Sequence, residues 1–185
     1  TGNPKGIEQT HRTLINLAEW HPDEAYAGDN ARKAQLASIG FDVSALEIVT
    51  CWRYGACLYV LPDNYRADPR KLLKFLIENQ IDSLNTTSAV LDLLAQEASR
   101  QHHYPTALKE FITSGDQLIV TGAIRDFFKN LPGCIYRNQY GPTETHVVTC
   151  YSVNNPSEIP GYVPIGRPIW NTNIYIVDAN RQLLP

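Results

Sequence analysis

From Ala31 onward the sequence alternates between short apolar runs and stretches in which apolar residues recur at helical spacing. That alternation restricts the fold more than any other feature, because strand, helix and strand in succession are the repeating unit of a mostly parallel sheet. Five units can be placed. Gln35 to Phe41 reads as a strand, followed by a helix carrying Leu46, Ile48, Val49 and Trp52. Cys57 to Leu61 is the second strand, and Asp68-Pro69 opens a helix with Leu73, Leu76 and Ile77 on one side, since proline suits the first helical position. Ile81 to Thr86 is the third, feeding a helix through Val90, Leu91 and Leu94. Glu110 to Ser114 is the fourth, ahead of Ile124, Phe127, Phe128 and Leu131, and Cys134 to Asn138 is the fifth. The expected class is α/β, with flavodoxin-like βα units.

The flanks differ. Thr10 reads as the N-cap of a short helix with Leu14, Leu17 and Ala18 on one face, ended by His21-Pro22. Glu97 to Thr106, with its paired His102-His103, and the Asn-, Pro- and Gly-rich Asn154 to Gly161 read as loops. Asn173 to Val177, then Asp178-Ala179-Asn180-Arg181, then Gln182 to Leu184 reads as an antiparallel hairpin. The expected division is therefore residues 1–30, a parallel-sheet unit over 31–150, and the start of a β-rich subdomain over 151–185. The chain begins at Thr1 and contains no methionine, so it is expected to be an internal piece of a longer protein.

Composition limits the partners. With 43% hydrophobic residues the chain can bury a real core, and 19% charged residues is too few for a disordered polyelectrolyte. A net charge of -3 without runs argues against a nucleic-acid groove or a membrane surface, and no apolar stretch has the length to cross a bilayer. A cytoplasmic location is expected. Cys51, Cys57, Cys134 and Cys150 form no C-x-x-C pair and sit among apolar or aromatic neighbours, which suits buried free thiols and not a cysteine metal site.

The chemistry collects where the apolar runs end. If the five strands run parallel, Asp42-Val43, Pro62-Asp63, Asn85-Thr86, Ser114-Gly115-Asp116 and Asn138 through Glu144 converge on one edge, where α/β sheets bind ligands. Burying such groups without partners is costly, so their repetition is hard to explain by packing. Single members have plainer explanations: Asp42 as a cap for the following helix, Asn85 as a satisfied polar group at a strand end. Asn138-Gln139-Tyr140-Gly141-Pro142-Thr143-Glu144 is the richest of these stretches, offering amides, a phenol, a hydroxyl and a carboxylate within seven residues. At the start, Thr1-Gly2-Asn3-Pro4-Lys5-Gly6 is a glycine-bounded loop that could hold an anion or serve as a surface turn; it lacks the Walker pattern.

Four of these stretches, in order, resemble the amino-acid-activating adenylation domains of nonribosomal peptide synthetases, members of the adenylate-forming superfamily. Thr1 to Gly6 resembles the tail of that family's phosphate loop, Phe41-Asp42-Val43-Ser44 its FDxS motif, and Gly115-Asp116-Gln117-Leu118 its G-G/D-E-x-L segment, with Gln117 in place of the usual Glu. Asn138 to Glu144 resembles its NxYGPTE motif without substitution. The resemblance covers the whole chain but only the middle of that family's domain; its catalytic lysine and ribose-binding aspartate are expected beyond Pro185. A fragment of this extent is expected to be inactive alone.

What the resemblance implies is ATP-dependent formation of an aminoacyl-AMP, then transfer to the phosphopantetheine thiol of a peptidyl carrier protein beside neighbouring synthetase domains. Asp42 would hold the substrate's α-ammonium. Tyr140 would pack on adenine, Asn138 would contact its edge, and Gly115 with Asp116 would border it. Thr143 and Gly141 would lie at the α-phosphate, Glu144 would hold Mg²⁺, and Lys5 with Thr1 and Gly2 would meet the pyrophosphate; Lys5, Thr143 and Glu144 are the expected catalytic set. The side-chain pocket would comprise Asp42, Val43 and Leu46, then Asn85, Ile112 and Ser114, then Gln139, Val147 and Val148. Asp42, Val43, Ile112, Val147 and Val148 agree with proline-activating domains; Leu46, Asn85, Ser114 and Gln139 do not. An α-amino or α-imino acid of modest size with one hydrogen-bonding group, or a substituted ring, is expected. The alternatives are an acyl-CoA or aryl-acid ligase of the same superfamily, which would usually lack an acid at position 42, and a non-catalytic flavodoxin-like binding module.

Overall fold

The computed structural model describes residues 6–20 and 30–184. Expectations for Thr1, Gly2, Lys5 and His21-Pro22 lie outside the described residues. In chain order the elements are α1 (His11–Trp20), β1 (Arg32–Gln35), α2 (Asp42–Arg53), β2 (Cys57–Val60), α3 (Asp63–Arg66) and α4 (Pro69–Glu78). There follow β3 (Ser83–Thr86), α5 (Ser88–Gln101), β4 (Glu110–Ser114), α6 (Gly122–Lys129), β5 (Ile135–Tyr140), β6 (Thr149–Val153) and β7 (Arg167–Pro168).

The seven strands form one sheet in the order β2-β1-β3-β4-β5-β6-β7. The first five run parallel, β6 pairs antiparallel to β5, and β7 pairs antiparallel to β6. The chain moves outward from β1 to β2 and returns to β3 on β1's other side, which leaves a crevice above the carboxyl ends of β1 and β3. One layer, α4 to α6, packs on the sheet through Leu72, Leu76, Leu91, Leu94, Ile124 and Phe127 against Leu84, Phe111 and Tyr136. On the other face α1 and α2 bury Leu17, Trp20 and Leu46 with Val147 and Ile169. Asp68 accepts hydrogen bonds from the amides of Arg70 and Lys71, capping α4 as its sequence predicts. No helix among the described residues is long and apolar enough to cross a membrane.

Several boundaries depart from the pattern reading. The first strand is Arg32-Lys33-Ala34-Gln35, not Gln35 to Phe41; Ile39 and Phe41 lie in the loop after it, 86% and 69% exposed. Apolar character there marked a loop, while a charged tetrapeptide made the strand. The buried face of α2 is Ser44, Leu46, Glu47, Thr50 and Cys51, and Trp52 is exposed. Helix α5 continues to Gln101, so half of the expected connection after Glu97 is helical, ending where His102 turns left-handed at φ 50°. Strand β5 runs past Asn138 to Tyr140, which places the first three motif residues in the sheet. The expected boundary at residue 151 falls inside β6, which pairs with β5, so the sheet runs across it. The tail hairpin is reduced to one bridge, Val177 to Leu183, with bonds from Asp178 N–H to the Gln182 carbonyl and from Leu184 N–H to the Ile176 carbonyl.

Candidate functional site

A cavity of about 510 Å³ opens at the carboxyl ends of β1, β3, β4 and β5. Asp42 and Val43 from the start of α2 line it, with Asn85, Ser114 and Gly115, Gln139, and Gly141 through Thr143, His146 and Val147 of the β5–β6 loop. Beside it a cleft of about 370 Å³ is bordered by Asp116, Asn138 and Tyr140 with Val163, Pro164 and Ile165, and the two share Gly115 and Gln139. A third, of about 700 Å³, lies on the other side of the loop and takes in Gln9, Arg12, Glu144, Val148 and Trp170.

The loop that joins these spaces is held by its own sequence. A Cβ on Gly141 would stand 1.8 Å from the His146 carbonyl oxygen, so only glycine lets the chain double back there. The Thr145 N–H donates to the Pro142 carbonyl at 3.0 Å and the Val148 N–H to the Tyr140 carbonyl at 2.8 Å, closing the turn. Gln9 Nε2 donates to the Thr143 carbonyl at 2.9 Å, tying the motif to the residues ahead of α1. On the opposite wall the N-cap of α2 is Phe41, not Asp42. Among the described residues the half-buried Asp42 carboxylate takes only the neighbouring Val43 N–H, at 2.8 Å, and Asp42 stands at the cavity. Gly115 leaves β4 at φ 98°, a left-handed turn suited to glycine.

Two buried amides bring the clearest sign of a missing partner. Among the described residues Asn85 Oδ1 and both polar atoms of Gln139 have no hydrogen-bond partner, although the residues are 6% and 2% exposed. Leaving such groups unmade costs roughly 1–3 kcal/mol each, and both residues line the large cavity. Asn85 is therefore not the satisfied strand-end amide of the plainer reading.

The remaining expected residues divide. Leu46 and Ile112 do not line the 510 Å³ cavity; they edge a void of about 20 Å³ behind Asn85, together with Lys33 and Glu47. Val148 faces the third cleft, as does Glu144, which is exposed. Tyr140, 46% exposed at the end of β5, presents its ring to the 370 Å³ cleft. Asn138 is engaged: its Nδ2 donates to the Pro164 carbonyl at 2.9 Å and its Oδ1 accepts from Thr113 at 3.3 Å. It holds the 163–165 segment that walls the cleft. Among the described residues no cluster of three or more His, Cys, Asp or Glu could hold a metal. A single exposed carboxylate such as Glu144 fits a Mg²⁺ ion carried on substrate phosphates, which takes one or two protein carboxylates.

Pattern reading missed three side chains around the site. Arg66 lines the cavity and donates to the Leu36 carbonyl and to Gln35 Oε1, bridging the loops after β1 and β2. Glu47 accepts from the Leu36 and Ala37 amides at 3.2–3.3 Å, and burial pushes its carboxyl up to about 7 against the pull of those amides, Gln35 and Arg66. His146 lies between Asp42 and Val147. A carboxylate set between the apolar Leu46 and Ile48 was the available signal for Glu47; its place two residues after the motif was the signal for His146.

A model of the family described as AMP-binding enzyme matches residues 1–185. Tyrocidine synthase 2 of Brevibacillus parabrevis is 35% identical over 185 residues, 100% of this chain and 5% of that protein. Gramicidin S synthase 2 of Aneurinibacillus migulanus is 34% identical over 185 residues, 100% of this chain and 4% of that protein. The chain thus spans about one twentieth of the length of these relatives. Among solved structures, the nonribosomal peptide synthetase FmoA3 in an AMPPNP-bound form superposes with a TM-score of 0.85 at 27% identity, over 97% of this chain and 20% of that one. The same synthetase bound to alpha-methyl-L-serine-AMP gives 0.83 at 26% identity, over 97% and 20%.

Proposed function

The chain belongs to the AMP-binding enzyme family, and on that premise we propose that it forms part of an adenylation domain that activates an amino acid with ATP for nonribosomal peptide synthesis. The observation that carries the reading is the pairing of two spaces across Gly115 and Gln139: one with the Asp42 carboxylate at its wall, the other with the Tyr140 ring. The first suits the amino acid, whose α-ammonium would gain a charge-assisted bond to Asp42. The second suits a planar base stacked on Tyr140, which leaves the α-phosphate at the Gly141-Pro142-Thr143 loop between them.

In this arrangement the substrate carboxylate oxygen attacks the α-phosphorus, the bond to the pyrophosphate oxygen breaks, and aminoacyl-AMP stays in the joined spaces. Glu144 would hold Mg²⁺, which supplies charge neutralisation on the phosphates when bound. The chain's own residues orient the reactants: Asp42 fixes the ammonium, Tyr140 the base, and Gly141 permits the close backbone turn. Asn85 Oδ1 and the Gln139 amide, without partners among the described residues, support a substrate side chain with one hydrogen-bonding group or a polar-substituted ring. Transfer to a carrier protein's phosphopantetheine thiol, in the cytoplasm, completes the reading, supported by the synthetases the chain resembles.

The test is Asp42→Ala in the full-length protein that contains this sequence. Amino-acid binding should weaken by about 2–5 kcal/mol in ATP–pyrophosphate exchange while the ATP KM barely moves. An equal loss for both ligands would show that Asp42 only shapes the start of α2.

A further inference from the structure

We propose that His146 is a positioning residue for amino-acid recognition, setting the distance between the Asp42 wall and the Val147 wall of the cavity. This rests on the reading of that cavity as the amino-acid site. His146 is 3% exposed, and its ring makes two hydrogen bonds in opposite directions. Nδ1 accepts the Val147 N–H at 2.8 Å, so Nδ1 carries no proton. The proton of the neutral ring is then on Nε2, which lies 3.0 Å from the Asp42 carbonyl oxygen and donates to it. One imidazole therefore ties the loop that follows the motif to the residue that would hold the ammonium, 104 positions away in sequence.

The backbone is built around this ring. His146 sits at φ 59°, in the left-handed region, and its carbonyl occupies the space where a side chain on residue 141 would be. Asp42 opens α2, where the preceding Phe41 carbonyl accepts from Ser44 Oγ at 2.7 Å and from the Ser44 N–H at 3.1 Å. Without the imidazole the first turn of α2 keeps its helix bonds but loses its fixed separation from Val147. A ligand held between those walls would then meet them at the wrong spacing, and small misplacements are costly for binding and reaction.

Two substitutions in the full-length protein separate this role from a merely structural one. His146→Asn keeps a residue that tolerates the left-handed backbone but is too short to reach Asp42. His146→Gln restores a donor at the reach of Nε2, and Gln80 shows that this chain accommodates glutamine at φ 49°. In ATP–pyrophosphate exchange the Asn variant should raise the amino-acid KM by about tenfold or more while the ATP KM stays within about threefold, and the Gln variant should recover most of the loss. The proposal is overturned if both KM values rise together, if unfolding is easier with both KM values unchanged, or if Gln is no better than Asn. Should neither variant fold, ¹⁵N-histidine spectra of the wild-type protein decide: a neutral Nδ1–H tautomer would sink the proposal, an Nε2–H tautomer would uphold it. Absence of amino-acid-dependent exchange in the wild type would instead remove the reading on which it rests.

Discussion

The two faces of the sheet are buried to the same degree and made of opposite materials. Toward α4 to α6 the strands present Leu84, Phe111 and Tyr136, and the rings of Phe111, Phe127, Phe128 and Tyr136 meet edge to face at 5.5–5.9 Å. Toward α1 and α2 the same strands present Lys33, Ser83, Glu110 and Arg137, then Asn85 and Gln139. Glu110 and Phe111 are neighbours in sequence, each 0% exposed, on opposite faces because side chains alternate along a strand. The polar face also changes along its length. At the amino ends of the strands Glu110 is met by Arg137 Nε at 2.9 Å and by Ser83 Oγ at 2.7 Å, and Arg137 also donates to Ser152 at 2.6 Å. At the carboxyl ends Asn85 and Gln139 hold unpartnered atoms against the cavity. Polar groups satisfied by the protein give way to polar atoms without a hydrogen-bond partner among the described residues.

The largest expected effects break this comparison outright. Glu110→Ala strands the Arg137 charge and should cost about 3–5 kcal/mol in denaturant unfolding. Phe127→Ala on the apolar face should cost a similar amount, about 3–5 kcal/mol, through a cavity. The faces part company on rescue: Glu110→Met combined with Arg137→Leu should recover part of the loss, because the Arg137 charge goes with its partner while the buried Lys33 still loses the Glu110 carboxylate. If that double variant is as unstable as Glu110→Ala, ion pairing is not what holds the polar face.

A smaller effect should appear with pH. Glu47 has its carboxyl raised from the ordinary 4.5 to about 7 by burial, so the folded state holds its proton more tightly than the unfolded chain. Its contribution is therefore most favourable below 4.5 and is lost as pH rises from there to about 7, a change of about 3 kcal/mol. Glu47→Gln should flatten the melting temperature across that window, and an unchanged slope would show that Glu47 is not the group responsible.

The smallest effect belongs to the outer helix layer. Glu97 on α5 is held down to about 2, first by hydrogen bonds from Arg100 and Gln101, so its contribution runs the other way: present above the ordinary 4.5 and lost as pH falls toward 2. Its partners Arg100 and Arg70 are 58% and 72% exposed, which screens the interaction, and Glu97→Gln should change stability by less than about 1 kcal/mol at neutral pH. A loss as large as that at Glu110 would mean that exposure does not rank these charges.

The amino-acid order by itself determined the class of fold and the sheet edge at which the cavity opens. Strands β2, β3 and β4 lie where apolar runs bounded by turn residues put them, because a buried strand needs such a run and a turn needs its glycine, proline or capping residue. Asp42, Asn85, Ser114 and Gln139 meet at one edge of the sheet, although Asp42 opens α2 well beyond the end of β1, Gln139 lies inside β5, and Pro62-Asp63 stay outside the cavity. Only the tertiary structure decided the rest. The first strand, Arg32-Lys33-Ala34-Gln35, carries no apolar signal because its polar side chains are satisfied by partners remote in sequence: the Arg32 guanidinium donates to the Asn79 carbonyl and to Gln80, and Gln35 meets Glu47 and Arg66. Leu46 and Ile112 were assigned to the cavity from their positions, yet the rotation of α2 and the pleat of β4 turn them to the void behind Asn85. His146, in a stretch with no periodic pattern, acquires its place only when the β5–β6 loop folds back over α2. Hydrophobic periodicity is local and can be read along the chain, whereas a buried polar group is stable only where a distant partner meets it, and that meeting exists only once the strands have assembled.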